Sequence, residues 1–400
     1  MHKLESDKSA KLKVVEVCHT YGYGPPQALA EFIKENMESF LYIGLPLSYS
    51  TDQRPTISRF HRGALLNKSY KNIIRAPEIL LFLRDFFLTF IIIMRTKEKF
   101  DVFIGVNCLN TFTGLILQKM KRVRFVIFYG IDYLPNRFAN PLLNLFYHFL
   151  DITVSRAADS IWNLSPVMSN ARKRLKINSE KNFTVPTGAH FDKIQRVSFD
   201  SLKRKTLVWS GRMEPWSGLD MIMNSLPQIL VKIPDLKVVL IGDGPMMKHV
   251  LDRSKELKLQ DHLELTGWIP HKKVLEIVPK LGVAVALLSP DPINFYTDMI
   301  KIKEYLACGC PVIMTLVPNI AHEIKNKEAG ISIHYKNKEF VQAVVKLMSD
   351  DVFYKRCRSN ALRLGEKYDW TKIFSDAFRN TLNLMNDKQN NKKGGKERIE

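Results

Sequence analysis

Residues 294–313, Asn-Phe-Tyr-Thr-Asp-Met-Ile-Lys-Ile-Lys-Glu-Tyr-Leu-Ala-Cys-Gly-Cys-Pro-Val-Ile, decide the fold. Asp298 is placed to cap a helix, and Ile300, Ile302, Tyr305 and Leu306 then fall near one helical face. Gly309 is placed to end that helix, and Pro311-Val312-Ile313 reads as the start of a buried strand. Lys301 and Glu304, three apart, share a face in the first two turns. A helix N-terminus attracts anions, so a lysine there suits a phosphate. A carboxylate one turn on suits sugar or ribose hydroxyls.

Outward from this block the chain alternates strands and helices. Residues 14–18 read as a short strand, followed by the turn Tyr21-Gly-Tyr-Gly-Pro-Pro26 and a helix from Gln27. Residues 102–106, 125–129 and 160–164 read as buried strands, with Ser165 capping a helix after the last. A second series starts near residue 205, with strands at 206–210, 237–241, 262–266 and 283–288 and a helix over 218–232. The alternation predicts an α/β protein of two doubly wound domains, each a parallel sheet covered on both faces, joined near residues 189–204.

The composition agrees. Four hundred residues allow two domains that each bury a core, and 46% hydrophobic with 25% charged residues is a globular balance. Five cysteines, Cys18, Cys108, Cys308, Cys310 and Cys357, form no disulfide framework, and Cys308-Gly-Cys310 lacks a second pair for zinc; a reducing cytosol fits. The polar N-terminus lacks the apolar core of a signal peptide. The apolar run 79–94, interrupted by Arg84-Asp85, is too short and too charged to span a membrane. It reads as a buried helix, with a membrane-dipping helix as the alternative.

The net charge of +20 predicts attraction to polyanions. Between residues 54 and 75, Arg54, Arg59, Arg62, Lys68, Lys71 and Arg75 alternate with apolar residues, more like a surface lying on anionic lipid than a base reader. A solvated face of no function is the competing reading.

Trp209-Ser-Gly-Arg212 with Gly218-Leu-Asp220 is the second strong signal. Gly211 at a strand end lets backbone approach a ligand. Arg212 follows at the strand's carboxyl end, where open α/β sheets bind ligands, and its guanidinium can take two phosphate oxygens. The 294–313 block resembles the donor-site helix of the family 4 retaining glycosyltransferases, P-x-K-x-x-E-Y-x-A-x-G-x-P-V, in order and spacing. The Arg212 stretch resembles that family's G-R-x-x-x-x-K-G, with Ser217 in place of the lysine. Gly242-Asp-Gly-Pro245, Gly267-Trp-Ile-Pro270 and Trp370 after Tyr368-Asp369 resemble further landmarks, and together the resemblance covers roughly residues 184–375.

The resemblance implies the GT-B fold: two Rossmann-like domains facing a central cleft, the donor held mainly by the second, and a C-terminal helix crossing back to the first. The expected bounds are an acceptor-binding domain over 1–190, a nucleotide-sugar-binding domain over 191–370, a crossover helix over 371–386 and a disordered tail over 387–400. It places the donor diphosphate at Arg212, Gly211 and Lys301, with Lys301 substituting for the missing cation. Glu304 is expected on donor hydroxyls and in catalysis, and Gly267 and Trp268 against the nucleobase. The family's Glu-x7-Glu pair has Tyr296 as its first member here, so Tyr296, Asn294 and Asp298 are candidates for sugar contacts.

In the first domain the histidine usual after the strand at 125–129 gives way to Gly130-Ile131-Asp132-Tyr133, and Asp132 is the candidate acceptor base. His19, Asn107, Gly22 and Gly24 are candidates for the acceptor side of the cleft. No Asp-x-Asp motif occurs, so the diphosphate is expected to be met by Arg212, Lys301 and helix N-termini, without metal and with no cofactor beyond the nucleotide-sugar substrate. The implied function is a cytoplasmic, peripheral-membrane retaining glycosyltransferase, moving a sugar to a glycan or lipid-linked acceptor in surface polysaccharide synthesis. An anionic membrane surface is an expected partner and nucleic acid is not. The alternatives are a nucleotide-sugar epimerase of the same fold and a degenerate, non-catalytic partner of a glycosyltransferase.

Overall fold

The apolar runs become strands because each is covered by helices on both faces. The computed structural model describes residues 11–394 apart from 21, 48, 49, 51, 71–77, 134–136 and 139. The chain divides into two compact units, Met1–Pro186 with Thr371–Glu400, and Thr187–Trp370.

In the first unit the elements are β1 (Lys13–Thr20), α1 (Pro25–Asn36), β2 (Ser39–Pro46), β3 (Thr56–His61), β4 (Ala64–Tyr70), α2 (Glu78–Arg95), β5 (Phe100–Val106), α3 (Cys108–Lys119), β6 (Val123–Gly130), α4 (Pro141–Ala157), β7 (Ser160–Asn163), α5 (Pro166–Arg174) and β8 (Asn182–Thr184). Among the described residues its sheet runs β4-β3-β2-β1-β5-β6-β7-β8. From β2 to β8 neighbours are parallel. Val15, Val17, Phe103, Val126 and Phe128 pack beneath Leu117, Leu150 and Val154. Ser165 caps α5 as expected, accepting from the Met168 N–H at 3.2 Å. Glu16 of β1 is a charged residue in this apolar setting: it is fully buried, and among the described residues neither carboxylate oxygen has a hydrogen-bond partner. Burial pushes its carboxyl well above the usual range.

The basic stretch 54–75 is built around two edge strands. Its alternation is that of a strand, and it forms β3 and β4, an antiparallel hairpin on the sheet edge. Its cations are partly occupied: Arg54 pairs with Asp52 at 2.8 Å and Arg59 with Glu98 at 2.7 Å. Lys71 and Arg75 lie outside the described residues. The run 79–94 does form a helix, α2, but only one stripe of it, Leu81, Asp85, Thr89 and Ile93, is fully buried. Among the described residues no helix is long and apolar enough to cross a membrane.

The second unit contains β9 (Lys203–Ser210), α6 (Leu219–Lys232), β10 (Lys237–Ile241), α7 (Met247–Glu256), β11 (Leu263–Gly267), α8 (His271–Ile277), β12 (Leu281–Ala286), α9 (Pro292–Tyr296), α10 (Ile300–Ala307), β13 (Val312–Thr315), α11 (Ile320–Asn326), β14 (Gly330–Ile333), α12 (Asn337–Ser349) and α13 (Asp351–Lys367). Its strands run β11-β10-β9-β12-β13-β14, every neighbour parallel. This is the doubly wound order, and its reversal lies between β9 and β12. Trp209, Leu226, Leu240, Val285 and Phe340 are fully buried in its core.

The last helix is α14 (Trp370–Gly394). From Thr371 onward it belongs to the first unit. Phe374 and Phe378 pack 5.6 and 5.8 Å from Phe32, and Phe378 also meets the edge of Trp162 at 5.3 Å. The expected disordered tail over 387–400 is therefore helical as far as Gly394, because Lys388 docks on Asp159 and continues the helix along the sheet. Residues 395–400 lie outside the described residues.

Candidate functional site

The reversal in the second unit brings together residues from β9 and α10. β9 ends at Ser210, and Gly211 and Arg212 follow at its carboxyl end. Gly211 donates its N–H to the Ile241 carbonyl at 2.9 Å. The β10 turn crosses so closely that a Cβ on Gly242 would lie 1.9 Å from the Gly211 oxygen; glycine there is a steric requirement. α10 begins beside this turn, with Met299 as its N-cap and no side chain capping it. Asp298, expected to cap, instead accepts from the Thr187 N–H at 2.8 Å and hydroxyl at 3.0 Å, and from Lys303 Nζ at 2.9 Å. It braces the loop before α10 and does not cap the helix.

Lys301, half-buried in the first turn of α10, points back across the reversal. Its Nζ donates to the Ser210 carbonyl at 3.1 Å and stands 4.6 Å from the centre of the Trp209 ring. Among the described residues no carboxylate pairs with it. Burial pushes its ammonium down to about 8. Arg212 stands further out, more than half exposed, and pairs with Glu214. Ser217, where the family pattern has lysine, is buried in the turn before α6 and donates its hydroxyl to the Glu214 carbonyl at 2.5 Å. A lysine at 217 would therefore need this turn to open.

Glu304 lies one turn after Lys301 and is nearly buried. His271 at the start of α8 meets its Oε1 through Nε2 at 2.5 Å. The sequence offered no sign of this partner, since 33 residues separate the two. Tyr305 holds α10 on β9: its hydroxyl accepts from the Ser210 N–H at 2.7 Å. Tyr296 ends α9, and buried Asn294 donates to the Ser289 carbonyl at 2.9 Å, so Asn294 fixes its own loop. Trp268, 75% exposed, follows Gly267 at the end of β11.

The first unit has its own reversal between β1 and β5. His19 at the end of β1 sits between Asp85 of α2, 3.3 Å from Nε2, and Asn110 of α3, 3.3 Å from Nδ1. Asn107 precedes α3 with φ of +71°, and its buried Oδ1 has no hydrogen-bond partner among the described residues. Sequence reasoning named His19 and Asn107 as candidates but not Asp85 and Asn110, which reach His19 only when two helices fold over one strand end. Asp132, after β6, is ion-paired with Arg137, which stacks 5.2 Å from the Tyr147 ring centre. The pairing occupies one oxygen of the Asp132 carboxylate. A Cβ on Gly22 would meet nothing within 4 Å, so no close approach explains that glycine, and a Cβ on Gly24 would meet only the Gln27 and Pro26 side chains. Tyr21 lies outside the described residues.

Residues 204–350 match the family model of the glycosyl transferases group 1. That match lies within the second unit. An uncharacterized glycosyltransferase of Methanocaldococcus jannaschii is 25% identical over 171 residues, 42% of each chain. The phosphatidyl-myo-inositol mannosyltransferase of Mycobacterium leprae is 23% identical over 206 residues, 49% of this chain and 52% of that one. The chain thus spans about half the length, or less, of these curated relatives. The fold match is broader. HepE of Anabaena, solved in complex with UDP, has a TM-score of 0.69 at 15% identity, covering 93% of this chain and all of its own. The sucrose-phosphate synthase of Thermosynechococcus elongatus has the same TM-score and identity, covering 93% of this chain and 99% of that one. The GT-B architecture of the chain follows from the fold matches and from the two doubly wound sheets.

Proposed function

We propose that the protein transfers a sugar, with retention and without a metal, from a nucleoside diphosphate sugar to a hydroxyl of a glycan or lipid-linked acceptor. The observation that carries this reading is Lys301. A half-buried ammonium without a carboxylate, beside Gly211 and in the first turn of an uncapped helix, is a site made for an anion. The diphosphate supplies that charge, holds the lysine in its protonated state and meets the open N–H groups at the start of α10. Arg212 joins from the rim by exchanging Glu214 for phosphate. Both cations then oppose the negative charge that grows on the leaving diphosphate.

Glu304, oriented by His271, takes donor hydroxyls, and Tyr296 and Trp268 are the neighbouring sugar and nucleobase contacts. On the acceptor side His19, oriented by Asp85, receives the hydroxyl proton in preference to Asp132. The setting is the inner face of the cell membrane, in surface polysaccharide synthesis. The net charge of +20 and five buried, free cysteines support a basic protein working in a reducing compartment against an anionic surface. The test is calorimetric titration with UDP, GDP, CDP and dTDP, followed by sugar-transfer assays on the matching donors. HepE, solved with UDP-glucose, makes UDP-sugars the first choice. A folded protein that binds none of the four rejects the reading.

A further inference from the structure

Three helices of the first unit carry apolar residues on faces that water reaches. On α2, Leu83 and Phe87 are 54% and 57% exposed; on α4, Phe146 and Phe149 are 59% and 66% exposed; α3 adds Phe112. A helix that only covers a sheet would carry charges there. Between these helices lies a groove of about 550 Å³, a volume in the range of small-molecule sites. Its walls are Phe82, Phe86, Leu109, Leu143, Phe146 and Leu150. Of its polar lining residues, His19, Asp85 and Asn110 form one hydrogen-bonded cluster at the end of β1, and Thr153 spends its hydroxyl on the Phe149 carbonyl.

We propose that this groove holds the hydrocarbon chain of the acceptor, and that the acceptor is therefore a single amphiphile drawn from the membrane, its polar head at His19 and its chain along α2, α3 and α4. The inference rests on the glycosyltransferase reading above. A flat apolar face would serve a second copy of the chain or a bilayer surface equally well. A concave slot between three helices serves a chain. Its polarity runs one way, from the His19 cluster to the phenylalanine rim, and so fixes the chain's orientation. The inner end is the carboxyl edge of β1 at the sheet reversal, where such sheets bind their ligands. A net charge of +20 favours an anionic head over a zwitterionic one.

The test uses the full chain and alkyl phosphates of eight, ten and twelve carbons, each below its micelle concentration, with inorganic phosphate as the control. Calorimetry should show one site per chain, with binding about three- to fourfold tighter for each added methylene. Inorganic phosphate alone should not reproduce it. Leu109→Trp fills the groove, and the double variant Phe146→Ser with Phe149→Ser strips only its exposed rim. Each should weaken dodecyl phosphate at least tenfold while leaving nucleoside diphosphate binding in the other unit unchanged, which shows that the variants fold. Dodecyl phosphate binding no tighter than octyl, or both variants behaving as wild type, overturns the proposal. So does sedimentation as a dimer that the rim variant dissociates, because the face is then a subunit interface. Nucleoside diphosphate binding without alkyl phosphate binding removes the groove and keeps the donor reading. Alkyl phosphate binding without nucleoside diphosphate binding rejects the groove as an acceptor site and the donor reading with it.

Discussion

Lys301 should make donor binding depend on pH in a range where few other groups titrate. Burial holds its ammonium at about 8 in the free protein. The terminal phosphate of a nucleoside diphosphate is fully ionised above about pH 7, so from pH 7 to 9.5 the main change is on the protein. With a pKa of about 8, roughly nine tenths of Lys301 is charged at pH 7 and about 3% at pH 9.5. If the diphosphate binds only the charged form, its dissociation constant should rise about thirtyfold across this window, or about 2 kcal/mol. The sign is fixed: the bound anion raises the lysine's pKa, so binding takes up a proton and weakens as pH rises. Lys301→Arg keeps its charge throughout and should flatten the profile. Lys301→Ala should flatten it as well and start one to two decades weaker at pH 7, since a charged hydrogen bond is worth about 1.5–3 kcal/mol. Isothermal titration at five pH values with each protein gives the answer. A wild-type profile as flat as that of Lys301→Arg refutes the reasoning.

Glu304→Gln should lower kcat/KM for transfer by about one to two decades, the worth of a charge-assisted hydrogen bond to a donor hydroxyl, with a melting temperature close to wild type; equal losses in melting temperature and activity would mean that Glu304 serves only to hold His271. Transfer should persist in excess EDTA, and an EDTA-induced loss that Mg²⁺ restores would assign the diphosphate charge to a cation in place of Lys301 and Arg212. Glu16 is raised by burial, so the folded state holds its proton to higher pH than the unfolded state does, and its contribution to stability falls as pH rises above the ordinary glutamate range. Glu16→Gln should abolish that fall and raise the melting temperature at pH 8, by about 2–4 °C for each kcal/mol recovered, as calorimetry can show; a variant that melts with the wild-type pH slope would mean the carboxyl is not the source.

The sequence determined what is local or periodic. Apolar runs such as 237–241 match β10 to the residue, because a strand covered on both faces needs nothing beyond its own composition. Lys301 and Glu304 share a face of α10 by helical spacing alone, and Gly309 ends that helix with φ of +76°, as its position after the last apolar residue implied. What the tertiary structure decided depends on residues far apart in the chain. Asp298 looked like a cap by position, yet Thr187 and Lys303 compete for its oxygens and win, because three donors outweigh one exposed N–H. Glu304 acquired His271, and His19 acquired Asp85 and Asn110, only when separate helices closed over strand ends. The alternation at 54–75 does not by itself say which neighbour a strand will find; β2 supplied the partner. The depressed ammonium of Lys301 has no signature in sequence, since desolvation is a property of the packed surroundings. The same holds for the groove, whose walls come from α2, α3 and α4 and exist only once the three helices have docked on one sheet.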